Sequence, residues 1–162
     1  LFLPEVICNT SPLQCLHQID QLSILPALVG SIIVPPAVVV ELDAGIARGL
    51  DLPHQTFQLD QDKAPISAEA VPLITDLGPG ESQVLMLALE KPGSIALMDD
   101  SLARRVAMAK EYLFKGTLGL LLDAKRAGHI TAVRPSLDRL QDLGFLLARQ
   151  TRVAVLNLAG EY

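Results

Sequence analysis

The chain has 162 residues, 50% hydrophobic and 19% charged, which is too apolar for a disordered protein and enough to bury one core. A formal charge of −5 argues against a general nucleic-acid binder, so a polynucleotide partner would need a local patch or a bound metal. The two cysteines, Cys8 and Cys15, match neither a disulfide framework nor a zinc spacing and read as reduced core residues of a cytoplasmic protein.

Val6-Ile7-Cys8 reads as a buried strand that ends at Asn9. Asn9-Thr10-Ser11-Pro12 then supplies a cap and a proline at the first helical position, opening a helix over residues 12–22 with Leu13, Leu16 and Ile19 on one face. Residues 24–29 form a short apolar piece with helical character, and residues 31–34 read as a strand by their β-branched content. Pro35-Pro36 ends that strand and opens a helix through Val38-Val39-Val40-Glu41-Leu42, where the valines alone would also suit a strand. Residues 22–40 carry no charge over the length of a membrane span. Pro26, Gly30, Ser31, Pro35 and Pro36 interrupt them, so no span is expected.

Residues 49–75 read as a loop-rich excursion holding Pro53, Pro65 and Pro72. Gly78-Pro79-Gly80-Glu81 opens a helix with Val84, Leu85, Ala88 and Leu89 on one side, stopped by Lys91-Pro92-Gly93. Residues 94–98 form a strand terminating in Asp99-Asp100, residues 101–110 a helix, and Tyr112-Leu113-Phe114 a strand. Gly116-Thr117 caps a helix through Ala127, and two closing helices occupy residues 136–143 and 149–159. Strands alternating with helices predict an α/β fold, a three-layer α/β/α sandwich with a central parallel sheet, formed by residues 1–162 as a single domain.

In such a sheet the functional crevice lies beyond the carboxyl ends of the strands, where Asn9, Asp99-Asp100 and Gly116-Thr117 fall. Glu41 and Glu81 lie on elements that can turn toward the same edge. Carboxylates gathered without basic partners repel one another and persist most easily around a divalent cation, for which oxygen ligands suit Mg2+ or Mn2+. Helix capping alone would equally account for Asp99, Asp100 and Glu81, and Glu41 would also suit an exposed helix face. His17, His54 and His129 have no metal-spaced partner and read as surface or packing residues. Neither a nucleophile elbow nor a phosphate-binding P-loop is present, and the acidic pair falls in the wrong order for a phospho-receiver domain.

Taken together, Ile7-Cys8-Asn9-Thr10-Ser11-Pro12-Leu13, Val34-Pro35 with Val40-Glu41-Leu42, Leu77-Gly78-Pro79-Gly80-Glu81, Leu97-Met98-Asp99-Asp100 with Ala103-Arg104, and Gly116-Thr117-Leu118-Gly119 resemble the PIN-domain family. Pro135 to Leu140, Gly144-Phe145 and Ala159-Gly160-Glu161 are similar to one prokaryotic branch of it. The resemblance implies an acidic pocket that binds magnesium or manganese and hydrolyses RNA, and a VapC-like toxin neutralised by an antitoxin. It places metal ligands at Asn9, Glu41, Glu81 and Asp100, with Asp99 beside them as a further catalytic acid. Thr10 and Thr117 become supporting hydroxyls and Arg104 a phosphate contact, unless Arg104 is simply part of a solvated helix face.

The family more often has aspartate where this chain has Asn9, an amide that can ligate but brings no charge. A PIN-like module that binds a protein or RNA without cleaving is therefore the alternative reading. A homodimer or a docked antitoxin is expected from the apolar excess, with a mean hydropathy of +0.38, the contact being made partly by the apolar helices near Leu13 to Leu28 and by the C-terminal segment, where Val153, Val155, Leu156 and Leu158 crowd one closing helix.

Overall fold

The computed structural model describes residues 5–54, 77–99, 105 and 113–162. Four short strands form one sheet: β1 (Glu5–Cys8), β2 (Ser31–Ile33), β3 (Ile95–Leu97) and β4 (Leu113–Lys115). All pairings are parallel, in the order β2-β1-β3-β4, with Ile7 opposite both Ile33 and Ala96, and Ala96 opposite Phe114. Parallel strands need both faces covered, which explains why Val6, Ile7, Cys8, Ala96 and Leu97 are all buried.

Seven helices supply the cover among the described residues: α1 (Thr10–Gln18), α2 (Ile24–Leu28), α3 (Pro36–Ala47), α4 (Pro79–Glu90), α5 (Thr117–Arg126), α6 (Arg134–Asp142) and α7 (Arg149–Leu158). Helices α3 and α4 pack on each other, and α4 lies against β1 and β3. Helices α1 and α2 meet α5, and α7 also packs on α5. The result is the three-layer α/β/α sandwich that the alternation of elements predicts.

The valine-rich stretch is helical, because Pro35 and Pro36 set the entry and the resulting turn buries Val38 and Leu42 while leaving Val40 exposed. Two expectations need correcting. The first helix spans Thr10–Gln18 rather than residues 12–22, so Pro12 is its third residue, still within the turn whose N–H groups have no helical partner. It stops because Asp20 turns left-handed at φ 58°, with Gln21 N–H bonded to the Leu16 carbonyl and Asp20 N–H to that of His17, a Schellman ending. On α4 the buried neighbour of Val84, Leu85 and Ala88 is Leu87, whereas Leu89 is exposed. The helix expected over residues 101–110, Tyr112 and most of the 49–75 excursion lie outside the described residues. No described helix is long and apolar enough to cross a membrane.

Candidate functional site

Strand β1 has β2 on one side and β3 on the other, so the chain leaves it in one direction and returns on the opposite flank. Such a reversal opens a crevice at the carboxyl edge, here between the ends of β1 and β3. Asn9 and Asp99 stand at those two ends, joined by the ladder bond from Asn9 N–H to the Leu97 carbonyl at 2.9 Å.

Asn9 is only 3% exposed, and its Oδ1 has no hydrogen-bond partner in the protein. It is the N-cap residue of α1 in extended conformation, yet its side chain makes no capping bond. A buried carbonyl oxygen left unpaired costs about 1–3 kcal/mol, so the position requires an explanation beyond helix entry.

The next two residues each anchor a different acid. Thr10 Oγ1 donates to Glu41 Oε2 at 2.5 Å, and the other carboxylate oxygen, Oε1, accepts from Gly80 N–H at 3.1 Å. Ser11 Oγ donates to Asp99 Oδ2 at 3.2 Å. Asp99 also receives Thr117 N–H on Oδ1 at 2.8 Å and Thr117 Oγ1 on Oδ2 at 2.7 Å. Asp99 therefore caps α5 from another element, and Gly116 lets it approach, since a Cβ there would lie 2.9 Å from Asp99 Oδ1.

Glu81 is the third residue of α4, with its carboxylate folded back toward Gly78. Glu41 and Glu81 thus occupy the same helix end, one bonded at Gly80 and the other over Gly78. Among the described residues no lysine or arginine forms an ion pair with Glu41, Glu81 or Asp99. Asp100 and Arg104 lie outside the described residues.

The fit to a divalent cation can be tested on these atoms. Asn9 Oδ1 is an unsatisfied oxygen on the residue just before Thr10 and Ser11, which anchor the acids, and oxygen donors of this kind match Mg2+ or Mn2+. Among the described residues each Glu41 oxygen takes a single bond, leaving a lone pair free, whereas both Asp99 oxygens are engaged by Thr117 and Ser11. Among the described residues no three His, Cys, Asp or Glu side chains are grouped closely enough to hold one ion. The amide of Asn9 and the residues outside the described set, Asp100 among them, stand outside that count. Burial, aided by the Asp99 charge and partly offset by the Ser11 and Thr117 hydroxyls, pushes the Cys15 thiol up to about 11.

Beside Asp99 a groove of about 610 Å³ opens between β4, the first turn of α5 and the segment before α7, lined by Lys115, Gly116, Gly119, Phe145 and Leu147. Lys115 in it is paired with Asp123.

Ser11, Gly78 and Gly80 belong to the site although composition and spacing point only to their neighbours. Their signal is adjacency: each lies within three residues of Asn9 or Glu81. A parallel α/β/α sandwich with an amide and carboxylates at its switch point is the architecture of a nuclease-type fold. The PIN-domain profile matches residues 5–161, and the chain belongs to the PIN-domain family. No curated protein and no solved structure matches it.

Proposed function

We propose that the protein is a metal-dependent ribonuclease of the PIN type that hydrolyses phosphodiester bonds in RNA, and that it is the toxin of a VapC-like toxin–antitoxin pair. The observation that carries the reading is the buried, unpartnered Oδ1 of Asn9 at the switch point, flanked by Thr10 and Ser11 that each anchor a carboxylate. Asn9, Glu41, Glu81 and Asp100 would hold Mg2+ or Mn2+. When bound, such an ion supplies Lewis-acid polarisation of a phosphate oxygen and a water of lowered pKa.

The chain's own residues do the rest. Thr10 and Gly80 fix the orientation of the Glu41 carboxylate, so little reorganisation accompanies binding. Asp99 joins the first turns of α1 and α5 through Ser11 and Thr117, which holds the edges of the crevice in register. The groove beside Asp99 offers the adjoining space for the RNA strand, with Arg104 as a phosphate contact. A second copy or an antitoxin would cover the closing helix, where Val153 and Leu158 are exposed.

Hydrolysis of single-stranded RNA in Mn2+ or Mg2+, abolished by EDTA and largely lost in Asp100→Asn, is the expected result. Equal cleavage by Asp100→Asn and the parent would reject the assignment. The neutral amide of Asn9 favours a second reading, a binding module that holds metal and RNA without cleaving. Mn2+ binding with RNA left intact would select it. A strictly monomeric mass by light scattering at micromolar concentration would reject the homodimer.

A further inference from the structure

We propose that Gly78 and Gly80 are positioning residues whose missing Cβ atoms leave open the seats of two carboxylates, those of Glu81 and Glu41, at the N-terminal end of α4. What the carboxylates do there rests on the metal-site reading above; where they sit does not.

Glycine is usually required for its backbone, and here it is not. Gly78 is extended at φ −67° and ψ 166°, Gly80 lies in the first turn of α4, and neither is among the residues with positive φ. Any residue can adopt these conformations, and helix propensity favours alanine at position 80. The requirement is for space. A Cβ on Gly80 would fall 2.7 Å from Glu41 Oε1 and 2.8 Å from Oε2, far inside contact distance. A Cβ on Gly78 would fall 2.6 Å from Glu81 Oε2.

Both obstructed groups are ends of flexible side chains, so an added methyl displaces the acid rather than the helix. The displacement of Glu41 also breaks its bond from Gly80 N–H and disturbs the short bond from Thr10. Pro79 between the glycines sits at the start of the helix and fixes their spacing. The tripeptide before Glu81 therefore acts as a double cradle for acids from α3 and α4.

Titration calorimetry with Mn2+ and thermal melts in EDTA on the full chain test this. Gly80→Ala is expected to weaken Mn2+ binding by about tenfold or more, the usual effect of losing a group that orients a ligand. Its melting temperature in EDTA falls by no more than a few degrees, because the better helix propensity of alanine offsets part of the lost hydrogen bonding. Gly78→Ala behaves likewise through Glu81. In a Glu41→Ala background Gly80→Ala has no further effect on Mn2+ affinity, whereas a general structural defect would persist. Parent-like Mn2+ affinity in Gly80→Ala overturns the proposal. Absence of Mn2+ binding by the parent would instead sink the metal reading. The seat is then judged in EDTA by NMR, where Glu41→Ala must move the Gly80 amide proton upfield; an unmoved amide overturns it.

Discussion

Replacing Asn9 by aspartate exchanges one NH2 group for an oxygen and adds a full charge at a position only 3% exposed. In EDTA that charge is buried with no basic partner among the described residues, so Asn9→Asp should lower the melting temperature by several degrees, about 2 kcal/mol or more. Saturating Mn2+ should reverse the loss and bind more tightly than to the parent. Melts with and without metal check both halves, and equal curves would show that position nine does not face a cation. Asp99 and Asp100 look equivalent as neighbours in sequence, but Asp99 accepts three bonds from Ser11 and Thr117. Asp99→Ala should therefore destabilise the fold by about 2–3 kcal/mol, measured by urea denaturation, since hydrogen bonds to charged groups are worth more than neutral ones. Sequence spacing brings the acids to one edge but says nothing of which hydroxyl each one holds. That division follows from the pitch of α1, which turns Thr10 and Ser11 to different neighbours.

At the level of elements, most helices and strands are legible because proline, glycine and apolar spacing mark their starts and faces. Their ends are less so, as α1 illustrates: Leu13, Leu16 and Ile19 continue the apolar stripe, yet the backbone reverses at Asp20. Aspartate tolerates the left-handed region only moderately, and its bond to Arg139 is exposed and worth little. Asp20→Gly should accordingly stabilise the protein by about 0.5–1 kcal/mol, visible as a higher urea midpoint. Helix α6 shows a longer-range ending that no local pattern discloses. Glu161 accepts the N–H groups of Val133 and Arg134 and pairs with Lys125, which also donates to the Ala159 carbonyl. Burial alone would raise its pKa, but these bonds outweigh it and hold the carboxyl down at about 2 against its usual 4.5. A lowered folded pKa stabilises above the unfolded value and loses that contribution as pH falls from about 4.5 through about 2. Glu161→Gln should thus cost about 1–2 kcal/mol near neutrality, and the gap between the two melting curves should close as pH falls through that window.

For the whole molecule, alternation of buried strands with amphipathic helices is enough to predict the layered class, because parallel strands need crossovers and cover on both faces. The order of strands is not written in that alternation; it emerges from which helices share an apolar face, and it decides where the crevice opens. The placement of β1 between β2 and β3 has a kinetic consequence. Val6 finds Ile32 early in the chain, but its other partner, Ile95, belongs to the second half. Until that half has been synthesised, one edge of a largely buried strand stays open to any other extended chain. Assembly of the sheet is then limited by long loop closure rather than by helix formation, on a scale of milliseconds to seconds. During synthesis this edge is the place where a holdase would be expected to bind, and the ribosome-bound N-terminal half alone should be captured by one.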